Sequence, residues 1–360
     1  MGSRLNYLLL NLLLLSVISD AEGPQRAVNA SVTAILVFGD STVDPGNNDY
    51  WPTLVRTNFP PYGRDFPDHF PTGRFCNGRL TTDFVASYMG LKENVPPYLD
   101  PNLSIEDLKT GVSFASAGSG FDPLTAKISS VIPLPKQVEY LAEYKNRVAS
   151  AMGEQEAEHH INQALFVVSA GTNDFVINYF TLPIRRATFN ISAYERFIVD
   201  RAVEFAQALV DQGARKLVFT GLSPMGCLPI VRAQKGLDVG CVDHVSEAAR
   251  DFNQLLQEEL NNLQERLAST NGAKFYITDT YEPLNNMIQG PGSAAYDVVN
   301  RGCCGLLGTV EFGPLCNKDT PVCVDASKFV FWDAVHPTEV TYNNLFEAMK
   351  PTIDRVLRGS

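Results

Sequence analysis

Five short apolar runs recur along this chain of 360 residues, and stretches of helical pattern separate them. They span 34–38 (AILVF), 111–114 (GVSF), 164–169 (ALFVVS), 216–220 (KLVFT) and 274–278 (KFYIT). β-Branched and aromatic residues dominate them, and most lack polar alternation, as strands buried on both faces should. Between them the clearest helix is 245–267, where Val245, Ala248, Ala249, Phe252, Leu255, Leu256, Leu260, Leu263 and Leu267 recur at three- and four-residue steps. Strands alternating with helices imply a parallel sheet covered on both sides. No repeat, low-complexity tract or linker divides the chain. The length fits one α/β domain over 28–357, since such folds routinely exceed the average domain size.

Composition narrows the function. Hydrophobic residues make up 45% of the chain, enough for a large core. Acidic residues outnumber basic ones 40 to 29, and no Lys/Arg-rich run occurs. Nucleic acid and anionic membrane surfaces are therefore excluded as natural partners.

The N-terminus carries Arg4 and then LLLNLLLLSVIS from Leu8 to Ser19. That run is too short for a bilayer, which takes about 20 residues. With Ser19-Asp20-Ala21 after it, the segment reads as a signal peptide over 1–21 and places the chain outside the cell. No second stretch approaches membrane length, so the mature chain carries no integral membrane segment. Secretion makes Asn29, Asn102 and Asn190 candidate glycosylation sites, each beginning an Asn-x-Ser sequon. It also favours disulfides among the seven cysteines. Cys227 and Cys241 form one candidate bridge. Cys303, Cys304, Cys316 and Cys323 pair locally in an order left open, and Cys76 is the odd one out. The adjacency of Cys303 and Cys304 suits tetrahedral zinc badly, so no metal is expected.

Open parallel sheets bind ligands beyond the carboxyl ends of their strands, so the residues after each run matter most. The first run leads into Gly39-Asp40-Ser41-Thr42. Ser41 stands where the chain would enter a helix, either as an N-cap or as a nucleophile. The second leads into Ala115-Ser-Ala-Gly118-Ser-Gly120, where a glycine N–H could meet developing negative charge or merely shape a turn. The third ends Gly171-Thr-Asn173-Asp174, with Asn173 a side-chain donor or an ordinary turn residue. Near the C-terminus, Asp333-Ala-Val-His336 lets one loop carry an imidazole and the carboxylate that orients it. The other histidines suit this role less well. His159 and His160 sit in a Glu-rich run that reads as a solvated face, His244 opens the amphipathic helix, and His69 lies in a long loop. That loop, 44–79, is dense in Pro, Gly, Asn and aromatics, which argues for an ordered lip around a cleft. The Gly-rich stretch 289–323 is either functional or surface decoration. Motifs for α/β-hydrolase elbows, zinc peptidases, nucleotide loops and dinucleotide folds are all absent.

Taken together, four of these segments resemble the plant GDSL esterase/lipases of the SGNH-hydrolase superfamily: Phe38-Gly-Asp-Ser-Thr-Val-Asp-Pro-Gly-Asn-Asn48, Gly111-Val-Ser-Phe-Ala-Ser-Ala-Gly-Ser-Gly120, Gly171-Thr-Asn-Asp174 and Phe331-Trp-Asp-Ala-Val-His-Pro-Thr338. Thr42 departs from the leucine of the family name, and Ser113 from a frequent asparagine. The resemblance implies a flavodoxin-like three-layer α/β/α sandwich on a five-stranded parallel sheet. It implies Ser41, His336 and Asp333 as a catalytic triad. The oxyanion hole would come from Ser41, Gly118 (rather than Gly120) and Asn173. It implies a secreted esterase acting on lipid or cell-wall-related esters without a cofactor. The alternatives are an acyltransferase using the same acyl-enzyme and a silent binding protein on the same fold.

Overall fold

The structure is a computed structural model that describes residues 32–236, 240–270 and 272–359. The segment 1–21 and the sequon at Asn29 lie outside the described residues. Each apolar run forms a strand close to its expected bounds: β1 Ile35–Gly39, β2 Gly111–Ser113, β3 Leu165–Ser169, β4 Lys216–Thr220 and β5 Lys274–Thr278. All pair in parallel in the order β2-β1-β3-β4-β5. This is the flavodoxin-like order, whose topological switch point falls between β1 and β3. The longer α-helices are α1 Thr81–Tyr88, α2 Leu134–Met152, α3 Glu154–Gln163, α4 Ile191–Asp211, α5 Asp243–Leu267, α6 Tyr281–Gln289 and α7 Glu339–Arg358. Among the described residues, no helix is long and apolar enough to cross a membrane.

Alternation along the strands sorts the core into two layers. Leu36, Phe38, Phe166, Val168, Leu217 and Phe219 meet α2, α4 and α5. Ile35, Val37, Leu165, Val167 and Val218 meet α1 and α7. The helix read at 245–267 is α5, whose buried stripe includes Val245, Phe252, Leu256 and Leu260. His160 departs from its reading as solvated. It lies on the buried stripe of α3 with Ala157 and Ile161, and its Nε2 is 3.2 Å from the Tyr144 hydroxyl. The Glu-rich run is amphipathic, and local charge density hid that period.

A second, two-stranded parallel sheet, β6 Val298–Gly302 with β7 Phe329–Phe331, has no counterpart among the sequence expectations. It brackets a lobe stapled by Cys303–Cys323 and Cys304–Cys316, while Cys227–Cys241 bridges elsewhere. Cys76 is free and buried.

Buried carboxylates tie the irregular segments to this frame. Asp44 accepts the N–H groups of Gly46, Asn47 and Ala117. Asp83 takes both nitrogens of the Arg74 fork at 2.8 and 2.9 Å, and also the N–H groups of Leu80 and Val95. Asp174 accepts from Phe121 N, Asp122 N and the Thr125 hydroxyl.

Two outcomes follow for stability. Arg74→Ala strands the Asp83 carboxylate and should cost about 3–5 kcal/mol in denaturant unfolding; a loss below about 1 kcal/mol would show that the pair does not hold the loop. Burial pushes the Asp174 carboxyl from 3.8 up to about 7, against the hydrogen bonds that favour its charged form. A raised folded-state value gives stability fully present below about pH 4 and lost as pH rises through about 7. Unfolding free energy should therefore fall between pH 5 and about 7.5 in the native chain. Asp174→Asn should flatten that slope, and a parallel slope in the variant would refute the assignment.

Candidate active site

The site forms at the carboxyl ends of β1 and β3, beside the switch point. Gly39 ends β1 with φ +139°, and a Cβ there would lie 1.9 Å from the Ser169 carbonyl oxygen, so only glycine fits. The Gly39 carbonyl accepts from Ser116 N (3.0 Å), the Ser119 hydroxyl (2.8 Å) and Gln137 Nε2 (2.9 Å). The first two bonds hold the 116–120 loop two residues from Ser41, and the third ties the same carbonyl to α2. Asp40 accepts both the N–H and the hydroxyl of Thr42. Burial pushes its carboxyl up to about 6, with Thr42 and His336 opposing.

Ser41 itself sits in a turn rather than at a helix start, so the N-cap reading does not describe it. The His336 ring meets it, with Nε2 2.9 Å from Ser41 Oγ. On the other side Nδ1 lies 2.9 Å from both Asp333 oxygens. Asp333 Oδ1 also takes the N–H groups of Val335 and His336 at 2.8 Å, which folds the loop after β7 around the carboxylate. Hydrogen bonding assigns the tautomer: Nδ1 donates to Asp333, leaving Nε2 to accept the Ser41 proton. Asp333 is fully buried and His336 nearly so, while Ser41 keeps 7% exposure at the mouth of a cavity.

Asn173 lines the same cavity, and its Nδ2 donates to the Ser119 carbonyl at 3.0 Å. That bond joins it to the loop bearing Gly118. Gly118 is partly exposed at φ +85°, and its N–H, like that of Ser41, donates to no acceptor among the described residues. The Gly120 N–H likewise donates to no acceptor among the described residues, and a Cβ there would lie 2.2 Å from Asp174 Oδ1.

Sequence reading missed Tyr62. Its hydroxyl donates to Asp333 Oδ2 at 2.8 Å and accepts from Gly313 N at 2.8 Å. Burial, reinforced by Asp333, raises the phenol well above its ordinary value, so it stays a donor. Tyr62 belongs to the loop expected to form an aromatic lip. The aromatics split instead: Tyr62, Phe66 and Phe75 turn inward, with the Phe75 ring 4.9 Å from that of His336, while Tyr50 and Phe70 remain exposed. The loop's aromatic density was the available signal, but nothing in it singled out Tyr62. Gly313 gives the stapled stretch a role beyond decoration. Among the described residues, no three His, Cys, Asp or Glu side chains group as a metal site.

An acid–base pair of this geometry can deprotonate a serine hydroxyl while free N–H groups stand nearby for an anion. The chain's relatives act in the same chemical field. Residues 35–349 match the family model described as GDSL-like Lipase/Acylhydrolase. GDSL esterase/lipase At5g45960 of Arabidopsis thaliana is 53% identical over 91% of this chain and 88% of its own length. GDSL esterase/lipase At1g20120 of the same plant is 46% identical over 89% and 79%. A solved lipase from a goat-rumen metagenome, Lip_vut3, aligns at TM-score 0.39 and 10% identity over 89% of this chain and 97% of that one. The chain belongs to the GDSL-like lipase/acylhydrolase family of carboxylic ester hydrolases.

Proposed function

We propose that this protein is a secreted serine esterase that cleaves carboxylic esters through Ser41, His336 and Asp333. The observation that carries the reading is His336, hydrogen-bonded at 2.9 Å to Ser41 through Nε2 and to Asp333 through Nδ1. His336 takes the Ser41 proton as Oγ attacks the ester carbonyl. The tetrahedral oxyanion is held by the N–H groups of Ser41 and Gly118 and by the second Nδ2 hydrogen of Asn173, whose first donates to the Ser119 carbonyl. His336 then protonates the leaving alcohol. In the second half, water gives its proton to His336, attacks the acyl-enzyme and releases the acid, and Ser41 recovers its proton.

Three disulfides support an oxidising compartment and hence export. Asn102 and Asn190 are exposed, and Asn190 caps α4 through Oδ1, which leaves its nitrogen free for a glycan. The mature enzyme is read as one domain over 28–357, with 1–21 removed.

Ser41→Ala should abolish turnover of p-nitrophenyl butyrate in a protein that still folds, and wild-type activity in that variant would overturn the assignment. Asn173→Ala should lower kcat about 100-fold or more, the usual effect of removing one oxyanion donor. Tyr62→Phe deletes the donor to Asp333 Oδ2 and leaves that oxygen to the imidazolium alone. Stability should fall by about 1.5–3 kcal/mol. The acid limb of the kcat/KM profile should move to higher pH; an unmoved limb would reduce Tyr62 to a purely structural role.

A further inference from the structure

The cleft does not end at Ser41. The cavity that has Ser41, Asn173 and His336 at its mouth continues into the layer between the sheet and helices α1 and α7. Val85, Val167, Val218, Leu345, Met349 and Ile353 line that inner part. We propose that it holds the acyl chain of the substrate, so that the preferred substrate is an ester of an unbranched aliphatic acid of medium length, with Val85 and Met349 setting the length. This rests on Ser41 as the nucleophile, which fixes the chain's first carbon at the mouth.

Shape supports the occupant. The cavity measures about 100 Å³. A water-sized group needs about 10–15 Å³ on this measure, so roughly seven to ten such groups fit, in keeping with a single methylene chain. Depth agrees. Val167 stands two residues before Ser169, about 7 Å further into the sheet at 3.3 Å per residue. Along α7 the lining runs from Tyr342 to Ile353, about 16 Å at 1.5 Å per residue. Close-packed interiors contain few voids larger than a water, so a space this long within a core layer calls for an occupant.

Chemistry supports it too. Beyond the mouth the lining holds no charged side chain. Among the threonines that border it, Thr81, Thr278 and Thr280 give their hydroxyls to the carbonyls of Tyr342, Phe219 and Gly221. The Tyr342 hydroxyl is buried and unpartnered at the same wall, a polar group free to meet a ligand atom near the triad. The void also has a local cause. At the positions where one face of the sheet carries Phe38, Phe166 and Phe219, the other carries Val37, Val167 and Val218.

The test is a chain-length profile of the purified full-length protein on p-nitrophenyl acetate, butyrate, octanoate and palmitate. Specificity, kcat/KM, should climb about fourfold per buried methylene up to octanoate and fall at palmitate. Val85→Phe should cut the octanoate-to-acetate ratio at least tenfold, and Met349→Ala should shift the optimum toward palmitate. A flat or falling profile in an active enzyme overturns the acyl cavity while leaving Ser41 in place. Inactivity on every ester, with no fluorophosphonate labelling of Ser41, instead overturns the nucleophile. Thermal stability then decides the cavity without turnover. Octanoate, and not acetate, should raise the Tm of folded Ser41→Ala protein, and added Val85→Phe should remove that rise. No rise with octanoate overturns the proposal.

Discussion

One buried carboxylate draws distant parts of this structure together at the site. Asp333 has no solvent exposure, and a bare charge there would be prohibitively costly. Four donors meet it: the His336 ring, the N–H groups of Val335 and His336, and the Tyr62 hydroxyl. Those donors come from chain segments more than 270 residues apart. The 44–79 loop must fold over the C-terminal end of the chain to deliver Tyr62. The stapled lobe must be in place for Gly313 to orient that hydroxyl. The disulfides at Cys303–Cys323 and Cys304–Cys316 thus reach the acid–base pair through two hydrogen bonds.

The other half of the site depends on the end of β1. In this sheet order, chain leaving β1 turns one way across the sheet and chain leaving β3 the other, so their loops face each other across the switch point. Gly39 lets the backbone pass close to Ser169, and three donors converge on its carbonyl. Ser41, the Gly118 loop and Asn173 are then fixed relative to one another by main chain and short polar contacts. Such preorganisation is what stabilising a developing charge needs, since fixed dipoles pay no reorganisation cost when the charge appears.

How much of this was legible in the sequence depended on the range of the interaction. Strands buried on both faces write a continuous apolar run, and all five were readable. Asp333 and His336 are three residues apart, so their pairing was readable as a loop motif. The cysteine pairing between 227 and 241 was also local. Tyr62 was not readable, because its partner lies far along the chain and tyrosines in an aromatic loop look alike. The pair β6 and β7 was missed for a different reason. Val298–Gly302 is partly polar and Phe329–Phe331 is very short, so neither writes a pattern. His160 was misread because glutamates around it masked a helical period whose buried positions are few.

The two faces of the sheet show how a packing pattern becomes a functional one. A strand must alternate its side chains, but nothing in sheet geometry demands equal volume on both sides. Here phenylalanines stack on one face, Phe38 on Phe114 at 4.9 Å and on Phe166 at 6.0 Å, and supply much of the apolar burial. Valines on the other face hold the same strands with less volume. They can do so only because the first face, with α2, α4 and α5, already anchors the sheet. The space they leave opens at its upper end on Ser41. A core that merely had to be stable would fill it with one larger side chain, as Phe219 does on the opposite side of the strand that carries Val218. The valines are therefore better explained by what must enter beside Ser41 than by what the fold requires.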